Sequence, residues 1–221
     1  PAIVLSHGLG GNAEGIAFSR GREFVRWGFV CIATDYTHAG EGRRGARGQR
    51  KGRRAGVTGD FRQFGARPEN IRRGLACLAI LQQQEDVDER RIAAYGHSMG
   101  AFVTIALTAA APDSFAAAAI TSGGIRIAGG HTAAAPKAAV AAHVRAPFLI
   151  LQGADDTTVP PQSSEQLRQE LAKNGVPTNR HVFEGVGHRV PSERASDCYR
   201  LMRAWFTERG VLLNPTAAQG Q

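Results

Sequence analysis

Cysteine, methionine, tryptophan and long apolar runs are all scarce in this 221-residue chain, which holds three Cys, two Met and two Trp. Cys31, Cys77 and Cys198 are an odd number, form no Cys-x-x-Cys pair and show no metal-ligand spacing. These absences exclude a disulfide-stapled scaffold and a structural zinc module. Buried free thiols are the expected state, with one pairing among them left open. There is no His-Glu-x-x-His stretch, so helix-borne zinc hydrolysis is excluded as well. No apolar run approaches the ~20 residues of a membrane-spanning helix, and no signal-peptide pattern is visible. The chain opens at Pro1 and enters Ala2-Ile3-Val4-Leu5 at once, without an initiator methionine. An upstream segment is therefore expected, and the missing leader says nothing about compartment.

What is abundant is positive charge, but it is local. The net charge is +8, and residues 41–54 hold seven basic residues against one acid, so that segment supplies +6 of it. Its Gly/Arg composition predicts a flexible, solvated loop. Steering of an anionic substrate, or binding to a nucleic acid or an acidic surface, is the alternative use of such charge. No aromatic residue interleaves these arginines to stack on bases, so no specific nucleic-acid partner is expected.

Hydrophobic residues make up 43% of the chain, and its length suits one α/β domain over residues 1–221. Short apolar runs alternate with helix-length segments. Strands are expected at 2–6, 29–34, 91–95, 115–120, 147–152 and 180–184, and helices at 14–27, 68–84, 99–111, 161–174 and 191–209. Continuous apolar runs such as Phe148-Leu149-Ile150-Leu151 fit a mostly parallel, doubly wound sheet with helices on both faces. The connections 36–67 and 121–146 leave strand carboxyl ends, the edge where open α/β sheets bind ligands, and are the expected pocket walls. Neither is patterned as a large cap domain. Residues 210–221 are expected to fray.

Gly96-His97-Ser98-Met99-Gly100 is a Gly-x-Ser-x-Gly sequence between an expected strand and an expected helix. Chance alone would place that pattern in about one chain in eight of this composition, so its surroundings decide its meaning. The bland alternative is a βα turn with a capping serine. In a nucleophile elbow, the serine is held exposed on a strained turn and the glycines prevent collision with neighbouring elements. A serine hydroxyl also needs a base oriented by an acid. Among seven histidines, His188 in Gly185-Val186-Gly187-His188 has the best context, between the last strand and the last helix. His181 lies within a strand, His97 is expected to point away from the site, and His38, His131 and His143 lie in less constrained segments. The acid is Asp155 or Asp156, after the strand at 147–152, unless these residues merely build an Asx turn.

Ser6-His7-Gly8-Leu9-Gly10-Gly11 closes the first strand with a loop able to present backbone N–H groups. The Leu9 and Met99 N–H groups would form a two-donor oxyanion hole, each donor worth roughly 3–4 kcal/mol. His7 is expected to brace this loop. Gly8 to Ala13, with Asp35 ending the next strand, also fits a dinucleotide fingerprint. That reading leaves the contexts of Ser98, Asp156 and His188 unexplained.

On these motifs the chain resembles the α/β-hydrolase superfamily, and most closely the dienelactone-hydrolase-like esterases, which grade into prolyl-oligopeptidase-type and cutinase-like enzymes. The resemblance runs from about residue 2 to 209. It implies the α/β-hydrolase fold, with one or two edge strands preceding the chain's first. The family pattern Gly-x-x-Asp-x-x-Val-Pro falls on Gly153, Asp156, Val159 and Pro160, which selects Asp156. The resemblance implies a Ser98–Asp156–His188 triad with Leu9 and Met99 as oxyanion donors, acting on a small-molecule ester without a cofactor. A peptidase, thioesterase or acyltransferase could use the same triad. The segment at 41–54 departs from the family pattern.

Overall fold

The structure, a computed structural model, describes residues 1–40, 64–127 and 132–213. Six strands, β1 (Ala2–Ser6), β2 (Val30–Ala33), β3 (Ile92–His97), β4 (Ala117–Thr121), β5 (Phe148–Gly153) and β6 (Thr178–Phe183), form one sheet in the order β2-β1-β3-β4-β5-β6. Every pairing is parallel. Parallel strands need crossovers, and α1 (Ala13–Ile16), α2 (Arg22–Arg26), α3 (Pro68–Gln82), α4 (Met99–Ala110) and α5 (Pro161–Lys173) lie in them, while α6 (Val190–Glu193) and α7 (Ala195–Glu208) follow the last strand.

The strands are apolar throughout because both faces are covered. Side chains alternate across a strand, so Ala2 and Val4 join Ile92, Ala94, Phe148 and Ile150 in one core, under residues of α3, α4 and α5. Ile3 and Leu5 join Ala93, Tyr95, Leu149 and Leu151 in the other, under α2 and α7. Burial of each large aliphatic side chain contributes roughly 1.5–3 kcal/mol. Helix α4 is the innermost, with Met99 through Thr108 all buried. Its buried Thr108 hydroxyl is satisfied by donating to the Thr104 and Ile105 carbonyls.

The expected helix at 14–27 is broken in three, with a π-helical turn over Ala17–Gly21 between α1 and α2. Gly21 is buried against Leu5, so the close approach to β1 is met by widening the helix. The expected helix at 191–209 is interrupted at Arg194, which lies outside helical geometry. Part of the segment expected to fray is packed. Val211 and Leu212 are buried, their N–H groups donate to the Phe206 carbonyl, and the Val211 carbonyl accepts from Arg91. The expected frayed segment from 214 on, and the Arg/Gly loop at 41–54, lie outside the described residues. Cys31, Cys77 and Cys198 are free, and burial pushes the Cys198 thiol up to about 12. No helix among the described residues is long and apolar enough to cross a membrane.

Phe24 anchors the α2/α7 layer. It is fully buried and makes ring contacts with Trp27, Phe29, Tyr95, Tyr199 and Phe206. Phe24→Ala should therefore lower unfolding free energy by about 3–5 kcal/mol, read from urea unfolding curves. A loss under 1 kcal/mol would show that this cluster does not anchor the layer.

Candidate active site

The carboxyl ends of all six parallel strands lie on one edge, and the expected site residues meet there. Ser98 stands between β3 and α4 with φ 55° and ψ −118°, a backbone conformation that costs a non-glycine residue on the order of 1–3 kcal/mol. Its N–H donates to the Thr121 carbonyl at 3.0 Å, which ties the turn to the end of β4. The flanking glycines are required by space. A Cβ on Gly96 would run into the Gly100 carbonyl and the Thr104 hydroxyl, and one on Gly100 would run into the Ser6 carbonyl.

His188 and Asp156 complete a chain of contacts. The Ser98 hydroxyl lies 2.7 Å from His188 Nε2, and His188 Nδ1 lies 2.8 Å from Asp156 Oδ2 and 3.0 Å from Oδ1. An ionised carboxylate only accepts, so Nδ1 carries the proton and Nε2 is free to accept from Ser98. Asp156 is buried, while Asp155 is exposed. Asp156 Oδ1 accepts from the Thr158 and Val159 N–H groups, both at 2.9 Å, and Oδ2 accepts from Gln152 Nε2 at 3.0 Å. Burial alone would raise the Asp156 carboxyl. The hydrogen bonds from His188, Val159 and Thr158 outweigh it and hold the group below the usual carboxylate range.

The loop at 7–11 lies against the serine, with the Cβ position of Gly8 only 3.5 Å from the Ser98 Cβ. The segment 36–40 holds this loop in shape. His38 Nε2–H donates to the His7 carbonyl at 3.0 Å, Gly10 N–H to the His38 carbonyl at 3.0 Å, and Gly40 N–H to the Gly11 carbonyl at 2.9 Å. His7 accepts from the Tyr36 N–H at Nε2 and donates from Nδ1 to the Gly8 carbonyl, the bracing role expected of it. Neither Leu9 N–H nor Met99 N–H donates to another described residue. The start of α1, which the dinucleotide reading would use for phosphate, is capped by Asn12 and receives the Asp35 carboxylate on the Ala13 N–H.

Other histidines differ from expectation. His38 is fully buried rather than loosely held. His97 does not point away, because its ring centroid lies 5.3 Å from that of His188, and its Nδ1 shares a hydrogen bond with Thr121 Oγ1. His181 sits in β6, ring to ring with Phe183, and His131 lies outside the described residues. Sequence reasoning missed Ser122 and Gln152. Ser122, at φ 51°, donates from Oγ to the His188 carbonyl at 2.9 Å. Gln152 is the one polar side chain in the apolar run of β5, a signal that was there to be read. Of the expected pocket walls, the described parts at 64–66 and 134–135 pack with Met99, Phe102 and Val159.

An elbow serine touching a histidine that touches a buried aspartate, on an all-parallel sheet with helices on both faces, defines an α/β-hydrolase fold. The sequence profile of the dienelactone hydrolase family matches residues 1–207, and the chain belongs to that family of hydrolases. A carboxylesterase from Lactobacillus plantarum superposes with a TM-score of 0.73 at 18% identity, over 97% of this chain and 87% of that one. A monoacylglycerol lipase from Paleococcus ferrophilus gives 0.66 at 17%, over 94% of each chain. A puromycin-hydrolyzing peptidase from Mycobacterium tuberculosis gives 0.70 at 23%, over 97% of this chain, which spans only 35% of the peptidase. At these identities the likeness is one of fold. Among curated proteins, none matches the sequence.

The buried imidazoles make folding sensitive to acid. Burial pushes His38 down to about 4, overcoming the opposing effect of its bond to the His7 carbonyl, and burial also lowers His7 and His97. Between the unfolded value near 6.5 and the folded value, the unfolded chain binds more protons, so stability falls as pH falls. His38 alone would contribute a loss on the order of 3 kcal/mol between pH 6.5 and 4. Urea midpoints measured from pH 7 to 4 should decline more steeply for the native chain than for His38→Gln. Parallel declines would count against this origin.

Proposed function

We propose that the protein is a serine hydrolase that cleaves carboxylic esters through an acyl-enzyme. The observation that carries this reading is the unbroken line of contacts from Ser98 through His188 to Asp156, at 2.7 and 2.8 Å. In the proposed reaction His188 Nε2 takes the hydroxyl proton as Ser98 Oγ attacks the ester carbonyl carbon. Asp156 fixes the imidazole tautomer and stabilises the imidazolium, while the Leu9 and Met99 N–H groups receive the developing oxyanion. Collapse of the tetrahedral adduct expels the alcohol, which receives its proton from His188. The same imidazole then activates water to attack the acyl-enzyme, releasing the carboxylic acid and restoring Ser98. The resident groups suffice, and the substrate is a small-molecule ester.

His97 supports the scheme by staying uncharged. Burial, with His188 and Arg20 nearby, pushes it down to about 3, so it adds no positive charge beside the imidazolium that forms on His188.

A fluorophosphonate probe should label the native chain and leave Ser98→Ala unlabelled. Equal labelling of both, or none of the native chain, would remove Ser98 as nucleophile. With a p-nitrophenyl ester, Asp156→Asn should lower kcat about 10,000-fold by favouring the wrong His188 tautomer, with KM little changed. Across an acyl-chain series, short and medium chains should be favoured, and an optimum at long chains would contradict that expectation.

A further inference from the structure

A cavity of about 490 Å³ is walled in part by residues 133–136. It lies between the start of α3, the outward face of α4 and the 3₁₀ turn at Ala138–His143. None of Ser98, Asp156 and His188 reaches it. Ala134 and Ala135 line the cavity and also pack with Met99 and Phe102.

Its chemistry is unusual in being of two kinds only. Among the described residues, every lining side chain is apolar or basic, with no carboxylate, hydroxyl or amide side chain. The space exists because the walls are mostly alanine. Helix α4 alone presents Ala106, Ala109 and Ala110, which share a face by their i, i+3, i+4 spacing. The basic side chains are Arg67, Arg126, Lys137 and His143.

Among the described residues, the arginines and the lysine of this set are not neutralised. Nearby Arg72 and Arg73 pair with Glu69, and Arg145 pairs with Asp113. Arg67, Arg126 and Lys137 have no carboxylate within pairing distance among the described residues. Arg126 is also held in place. Its Nη2 donates to the carbonyls of Ala133 and Ala135, and its backbone N–H donates to the Pro136 carbonyl at 2.8 Å. A fixed guanidinium presents a planar donor fork at little further entropic cost, which suits a carboxylate.

We propose that this cavity is a binding site, separate from the Ser98 centre, for a carboxylate anion with a hydrocarbon body. The chain lies along the alanine face of α4, and the carboxylate meets Arg67, Arg126 and Lys137. Positive charge makes the site select against cationic and neutral molecules of the same length.

Calorimetric titration of the full chain with decanoate, decanol and decyltrimethylammonium tests this directly, without use of esterase activity. Decanoate should bind at least tenfold more tightly than either comparator, and more weakly as salt rises from 50 to 500 mM. The double variant Arg67→Gln, Lys137→Gln changes only exposed side chains and should weaken decanoate binding at least tenfold. Ala139→Trp, on the exposed turn, should fill the cavity and abolish that binding. Comparator binding equal to decanoate, or decanoate affinity unchanged in the double variant or in Ala139→Trp, would overturn the proposal. Because Ser98 takes no part, fluorophosphonate labelling of these variants should stay normal, which separates a failure here from a failure of the serine-hydrolase reading.

Discussion

Helix α4 reaches its place only because residue 100 has no side chain. Its first turn rests backbone to backbone on the end of β1, where a single methyl group would overlap the Ser6 carbonyl. This contact fixes the depth at which the helix enters the sheet, and the strained backbone of Ser98 follows from it. The turn between β3 and α4 must close in one residue, and at φ 55° that residue projects into the space beside Gly8. Parallel strand pairing then brings the loops after β1, β4 and β5 to the same edge. A small backbone-to-backbone distance at one point thus sets the positions of groups contributed by distant parts of the chain.

Each loop at that edge is held by a neighbour rather than by itself. The loop at 7–11 is laced to 36–40, with two imidazoles as crosspieces. The His188 carbonyl hangs from Ser122, itself in a strained conformation at the end of β4. Asp156 is enclosed by two backbone amides and Gln152, so its carboxylate has little freedom to rotate away from His188. Such mutual bracing makes a preorganised site possible on loops, at the expense of several buried polar groups that must all be matched. Two at this edge are not: His38 Nδ1 and Gln152 Oε1 have no hydrogen-bond partner among the described residues.

Much of this was legible in the chain, for physical reasons that differ by feature. Apolar runs such as Phe148 to Leu151 announced a two-sided parallel sheet, because only full coverage tolerates such runs. The family register singled out Asp156 over Asp155, and burial separates the two in the same sense. What stayed hidden was mostly long-range. Nothing local to His38 says that it will lie under His7, and nothing local to Ser122 says that it will carry His188. The π-helical turn at Ala17–Gly21 answers to Leu5 on another element. The packing of Val211 and Leu212 depends on Phe206 and Arg91, the latter 120 positions upstream. Composition read those last residues as a tail because composition does not register a partner that far away.

Both tryptophans, Trp27 and Trp205, belong to the layer of helices α2 and α7, on one face of the sheet. The layer of α3, α4 and α5 has none, since these are the only two in the chain. Intrinsic emission is therefore a reporter of one layer alone. If the two layers part company during denaturation, fluorescence and far-ultraviolet circular dichroism would trace different curves. The uneven placement of two indoles gives this protein a built-in optical test of whether its two layers unfold together.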